Sequence, residues 1–184
     1  MLVICPLNSL INDQVQKLLT TGLRVAVINI QSFECATETD NEDIFCDVIE
    51  RGEKENILRG NYNLLFAHPE ALLSSKFGRR IVNSVVYQTN VSAVVIDEAH
   101  CIIEWGDDFR EDYGRLGMLC AAFPNAPVLA LTATANKNDR KQIKESLGLK
   151  NFVELVANPD RKNIFYEKHF RAGQDIDSIE SICR

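Results

Sequence analysis

Residues 91–100 read VSAVVIDEAH, and the interpretation of the chain turns on them. Val91–Asp97 is an expected strand, and its run Ala93–Ile96 is apolar without alternation, the pattern of a strand covered on both faces. Where that strand ends, Asp97 and Glu98 stand side by side, followed by Ala99 and His100. Adjacent carboxylates at the end of a buried strand are costly unless something positive lies against them. A magnesium ion bridging phosphates suits the position, because that ion takes hard oxygen donors. The second carboxylate can then orient a water for attack on a phosphoryl group. For an isolated Asp-Glu pair the plainer alternative is a solvated acidic turn.

The same apolar pattern recurs on both sides. Leu2–Cys5, Arg24–Ile28, Asn63–Ala67 and Pro127–Leu131 are further expected strands. Between them, Leu7, Leu10, Ile11, Val15, Leu18 and Leu19 recur at helical spacing and Gly22 stops the run. Helices are also expected over 44–59, 76–88 and 113–123. Another starts at Asn136, its cap, and runs to Gly148 with Asp139 in its first turn. Residues 29–43 read as loop. Short strands are expected near 152–156 and 164–169, then a final helical turn. Strand and helix in strict alternation predict an α/β fold: an open, mostly parallel sheet with helices on both faces. Such sheets bind ligands at the carboxyl ends of their strands. A site is therefore expected among Pro6–Asn12, His68–Glu70, Asp97–His100 and Thr132–Ala135.

Composition narrows the function classes. Of 184 residues, 46% are hydrophobic and 25% charged, which excludes wholesale disorder. No apolar run approaches the roughly 18–20 residues of a membrane span, so no membrane partner is expected. Residues 1–5 lack the charged start and apolar length of a signal peptide. The six cysteines form no CxxC pair, which argues against a zinc ribbon or a thioredoxin motif and for reduced thiols in an intracellular protein. His68 and His169 lack metal-ligand spacing with any cysteine. The net charge of −6 is concentrated in residues 34–55, with nine acids and two bases. The remainder is close to neutral, so bulk charge neither excludes nor supports a nucleic-acid partner.

Residues 97–113, DEAHCIIEWGDDFREDY, resemble motif II and the aromatic-rich loop of RecQ-type DNA helicases. Other segments agree in order and spacing. CPLNSLINDQV at 5–15 resembles motif Ia, LLFAHPEAL at 64–72 the family's strand with its Pro-Glu turn, and LALTATAN at 129–136 motif III. NPDRKNIFYE at 158–167 resembles the segment leading out of the first RecA-like domain. The resemblance implies a RecA-like P-loop NTPase fold, with residues 1–158 forming part of a first motor domain and 159–184 the start of a connection to a second. It implies an ATP-dependent 3′→5′ DNA helicase that uses ATP and Mg2+ and acts on single-stranded and duplex DNA, in the nucleus, in repair and recombination. Asp97 would hold magnesium, Glu98 would position or activate the attacking water, and His100 would link the nucleotide site to the rest of the machine. Thr132 and Thr134 would couple hydrolysis to movement. Ser9, Asp13 and Gln14 would face the bound strand. Trp105, Phe109 and Arg110 lie on the loop that would sense single-stranded DNA.

Some of these residues also have readings of their own. Trp105, Phe109 and Tyr113 fall at four-residue intervals around Arg110, and aromatic faces stack on bases without demanding a sequence. Alternatively the three pack the underside of a helix. Thr134 can be a helix cap. Lys137, Arg140, Lys141 and Lys144 could touch phosphates, but a solvated helix face is the preferred reading.

The pattern departs from the family in two places. No Gly-Lys pair occurs in the 184 residues, so there is no GxxxxGK[ST] phosphate loop, and the sequence begins at motif Ia. The expectation is a helicase fragment without the phosphate-loop strand, with negligible ATP affinity, a gap or exposed edges in its sheet, and marginal stability. In the aromatic loop, Glu104, Asp107 and Glu111 replace the glutamine, histidine and proline of the usual QWGHDFRP. With Asp108 and Asp112 they surround Arg110 with carboxylates that oppose a polyanion. A catalytically dead DNA-binding or regulatory module is therefore the alternative. A relative acting on RNA is a second, opposed by the WGDDFR segment.

Overall fold

In a computed structural model the described residues are 1–28, 30–32, 45–47, 51–105, 110–157 and 163–165, with backbone alone at 30–32, 45–47, 51–52 and 105. Five parallel strands form the main sheet. β1 (Leu2–Ile4) is central. β5 (Leu64–Ala67) and then β2 (Val25–Ile28) lie on one side of it, β6 (Val94–Ile96) and then β7 (Val128–Ala130) on the other.

The inner strands are short and apolar because both faces are covered. Val3 stands opposite Phe66 and Val95 in the ladder, and this row packs with Cys5 and Ile11 under α1 (Asn8–Leu19). The alternate residues Leu2, Ile4, Leu65, Ala67, Val94 and Ile96 face the larger core. That core is closed by α2 (Arg51–Leu58), α3 (Pro69–Leu73), α4 (Lys76–Val82), α5 (Val85–Asn90), α6 (Cys101–Trp105), α7 (Glu111–Gly114), α8 (Leu116–Ala122) and α9 (Lys137–Ser146). Period-two alternation within each strand thus sorts side chains between two buried layers.

Asn136 caps α9 as its sequence predicts. Its side chain accepts from the backbone N–H groups of Asn138 and Asp139, and Asp139 returns a bond to the Asn136 N–H. The helix expected over 76–88 is two helices, parted at Asn83 and Ser84, and that over 113–123 is broken at Arg115.

Other expectations are corrected. Residues 29–43 are not all loop: β3 (Ile30–Ser32) pairs antiparallel with β4 (Phe45–Asp47), and the helix expected from residue 44 starts at Arg51. A short apolar run has no period of its own and fits either structure. Residues 152–157 form no strand. Val153 and Leu155 are 86% and 92% exposed and pair with no strand among the described residues. Of the strand expected over 164–169, residues 164 and 165 are not in one and the rest lie outside the described residues, as does the final helical turn. Of the two expected outcomes, a gap or exposed edges, the described strands show no gap: they form one ladder with β2 and β7 at its edges, and Leu129 of β7 is half exposed. Met1–Phe152 forms one compact unit and Val153–Arg184 a second.

Candidate functional site

The carboxyl ends of β1, β6 and β7 hold the acid pair in place. The Asp97 N–H donates to the Ile4 carbonyl at 2.9 Å and the Ala99 N–H to the Leu131 carbonyl at 2.8 Å. Asp97 Oδ1 accepts the Glu98 N–H at 3.0 Å, and Oδ2 accepts from Gln14 Nε2 at 3.1 Å. Glu98 itself has φ +50°. A non-glycine residue in that left-handed region costs on the order of 1–2 kcal/mol, which the surrounding bonds offset.

This turn brings the Glu98 carboxylate to His100. His100 Nδ1 lies 3.2 Å from Glu98 Oε2 and 3.1 Å from Thr132 Oγ1, and a ring protonated at Nδ1 shares its N–H between them. Thr132 Oγ1 in turn accepts the Thr134 N–H at 3.2 Å. The other ring nitrogen faces Cys101 Sγ at 3.8 Å and Glu104 Oε2 at 3.9 Å. A polar chain therefore runs from the end of β6 to the end of β7 through Asp97, Glu98, His100 and Thr132, all half-buried. Thr134 is exposed and joins through its backbone. It is not the helix cap, which is Asn136.

Of the three α1 residues singled out in the sequence, only Gln14 reaches the acid pair. Ser9 and Asp13 lie on the solvent face, where Asp13 pairs with Lys17 at 2.6 Å. Arg110 is taken up by protein groups. Its Nη2 donates to Glu70 Oε2 at 2.8 Å, its Nε to Glu70 Oε1, and its Nη1 to the Pro6 carbonyl at 3.0 Å. Tyr113 is fully buried with the Arg110 guanidinium 5.0 Å from its ring centroid, so this aromatic packs the core and is not open to a base. The Trp105 side chain, Asp107, Asp108 and Phe109 lie outside the described residues. On α9, Arg140 donates to the Ala135 carbonyl, Lys141 pairs with Glu145 at 3.8 Å and Lys144 sits 4.4 Å from the Phe152 ring, in keeping with a structural and solvated face.

Two residues of the expected His68–Glu70 window have partners that no sequence pattern names. His68, at the end of β5, donates from Nε2 to Asn8 Oδ1 at 2.8 Å, since an amide oxygen only accepts. Glu70 holds Arg110. Both fall in the window after β5, so strand-end position was a usable signal although residue type was not. Burial, then the nearby Arg110, lowers the His68 pKa. Burial pushes the Cys101 thiol up to about 11, aided by Glu104 and Glu98.

The parallel sheet, with an acid pair, a histidine and a threonine joining two strand ends, defines an α/β domain whose polar cluster lies at the carboxyl ends of its strands. Residues 1–143 match the DEAD/DEAH box helicase family, and the chain belongs to it. Among curated proteins it is similar to the ATP-dependent DNA helicase RecQ of Haemophilus influenzae, 37% identical over 166 residues, which are 90% of this chain and 24% of that protein. It is similar to the ATP-dependent DNA helicase hus2/rqh1 of Schizosaccharomyces pombe, 37% identical over 166 residues, 90% of the chain and 12% of that protein. It is also similar to the ATP-dependent DNA helicase Q1 of Rattus norvegicus, 32% identical over 182 residues, 99% of the chain and 28% of that protein. The chain thus spans 12% to 28% of the length of these relatives.

Proposed function

We propose that this chain supplies the acid-pair side of the nucleotide site, and part of the DNA-binding face, of a RecQ-type ATP-dependent 3′→5′ DNA helicase. The observation that carries the reading is the bonded chain Asp97–Glu98–His100–Thr132, which joins two strand ends where an α/β sheet binds its ligand.

The donor set fits magnesium. Asp97 offers hard oxygens, and among the described residues no group of three or more His, Cys, Asp and Glu forms a closed metal cage. Magnesium is usually held by one or two carboxylates together with substrate phosphates, so such a cage is not required. Asp97 would hold the ion, which when bound neutralises phosphate charge. Glu98, aimed by its left-handed backbone and by His100, would orient a water. His100 and Thr132 tie that geometry to the β7 end, so a shift there reaches the carboxylate. Ser9 and Asp13 on the solvent face of α1, with Trp105 and Phe109, belong to the strand-sensing surface in this reading. Arg110 belongs at the foot of that surface. In a eukaryotic host the location would be the nucleus.

One feature favours a second reading, a module that binds without hydrolysis: Asp107 stands where the family's loop carries histidine. The product of the complete transcript separates the two. The helicase reading expects an in-frame GxxxxGK[ST] loop, ATP hydrolysis stimulated by single-stranded DNA, and loss of hydrolysis in Glu98→Gln with nucleotide binding retained. A full-length product that binds DNA but hydrolyses no ATP overturns it. Comparing DNA with RNA as the stimulating strand tests substrate class.

A further inference from the structure

Arg110 begins the short helix α7, directly after residues 106–109, and its guanidinium is a built-in tie. Three of its nitrogens are engaged, two by the Glu70 carboxylate and one by the Pro6 carbonyl. The pair is largely enclosed, with the Arg110 and Glu70 side chains 20% and 25% exposed. Pro6 is buried, and α1 begins after it: Leu7 is the N-cap and gives no side-chain cap bond. The Ile11 N–H donates to the carbonyl of the N-cap Leu7, so the Pro6 carbonyl lies outside the helix. A buried carbonyl in that position needs a donor, and Arg110 supplies it. A second tie runs parallel to the first. Asp112 is buried, and accepts from Ser74 at 2.6 Å and Arg115 at 3.1 Å.

We propose that Glu70 is a positioning residue: by orienting Arg110 against the Pro6 carbonyl, it fastens the foot of the 106–109 segment to the entrance of α1, the helix whose Gln14 holds Asp97. Arg110 then acts as an anchor, and the planar fork of its guanidinium is what the bidentate contact requires. The loop foot and the acid pair are linked by two routes. One is the covalent path through α6. The other runs from Arg110 to Pro6, along α1 and through Gln14 to Asp97. The value of the second route for catalysis rests on the proposed helicase function, whereas the mechanical link does not.

Hydrogen exchange on the 184-residue chain tests the link. In Glu70→Gln, amide exchange is expected to rise about tenfold in peptides covering 8–14 and 110–114 alike, the change that follows loss of a charge-assisted bond in a local opening. Arg110→Lys keeps the charge but loses the fork and should give the same pattern. The double variant should be no worse than either single one, because the two residues act as a unit. Leu119→Ala, destabilised in the core away from this tie, controls for general loosening. Overturning results are a rise confined to α3, a rise matching the Leu119→Ala pattern, or additive effects in the double variant. The fluorescence of Trp105, the single tryptophan, separates this inference from the function on which it draws. If the wild-type chain shows no response to oligothymidylate while the exchange pattern appears, the DNA reading fails and the tie stands. A DNA response without the exchange pattern has the opposite meaning.

Discussion

Gln14 and Asp97 stand 83 residues apart in sequence, and the Gln14 amide donates to Asp97 Oδ2 across 3.1 Å. A neutral donor steadies the carboxylate without cancelling its charge, which suits the magnesium-holding role proposed for Asp97. A lysine ammonium in that place would compete with such an ion. The bond also connects α1, whose outer face carries Ser9 and Asp13, to the acid pair.

Gln14→Ala removes this donor and should lower stability by about 1 kcal/mol, the usual net worth of one such bond. Urea unfolding of the 184-residue chain measures it. On the proposed helicase function, the same change in a product carrying the phosphate loop should raise the magnesium concentration needed for half-maximal ATP hydrolysis, with little change in DNA affinity. An effect on DNA affinity alone would move Gln14 from the metal side of α1 to the strand side.

His68 gives the fold a pH dependence. Its pKa is lowered in the folded state, first by burial and then by Arg110. A base with a depressed folded pKa binds fewer protons folded than unfolded, so its contribution is fully present above about pH 6.5, the ordinary histidine value. It is lost as pH falls below that value towards the folded pKa. Unfolding free energy should therefore decline from pH 7 to pH 5 in the native chain. His68→Gln can still donate to Asn8 but cannot titrate, and should decline less. Parallel slopes in the two proteins would exclude His68 as the source.

How much of this could be read from the residues depends on the range of each interaction. Strand interiors are legible because burial on both faces writes itself as unbroken apolar runs. The Asn136–Asp139 cap is legible because it is closed within four residues. Asp97, Glu98, His100 and Thr132 converge because each follows a strand and the strands are neighbours. The resemblance turns Gln14, with Ser9 and Asp13, towards the bound strand, yet it lies three residues from buried Ile11 and one before Val15, on the border of the apolar stripe. The rotation of the helix decides such a residue, and periodicity fixes that only coarsely. Glu70 and Arg110 are 40 residues apart, and nothing local marks them as partners. Residues 152–156 have strand propensity, but a strand also needs a neighbour to pair with.

The thiols yield a third prediction. Cys5, Cys101 and Cys120 are buried and free, and burial raises the pKa of each, to about 11 at Cys101 and at Cys120. Thiolate is the reactive form, so all three should resist Ellman's reagent at pH 8 in the folded chain and react after denaturation. Peptide mapping of the labelled product identifies the sites. Rapid labelling of Cys101 in the native chain would mean that the floor of the His100 site opens to solvent.

Gly117 allows a test of how the β7 side of the site is braced. It lies within α8, where alanine ordinarily stabilises a helix by about 1 kcal/mol relative to glycine. Here a Cβ would come 2.3 Å from the Ser146 carbonyl oxygen of α9. That atom belongs to backbone and cannot swing aside, so the two helices must separate. Overpacking of this kind costs about 1–3 kcal/mol, which outweighs the gain in propensity. Gly117→Ala should therefore lower the melting temperature. Gly22 is the matched control: it has φ +77° and open space around the added carbon, so alanine there strains only the backbone. Because α9 follows directly on the Thr132–Ala135 segment, displacing it should also disturb the His100–Thr132 contact. The His100 imidazole resonances should then shift in Gly117→Ala and stay in place in Gly22→Ala. Equal spectra in both variants would show that α9 does not brace this end of the site.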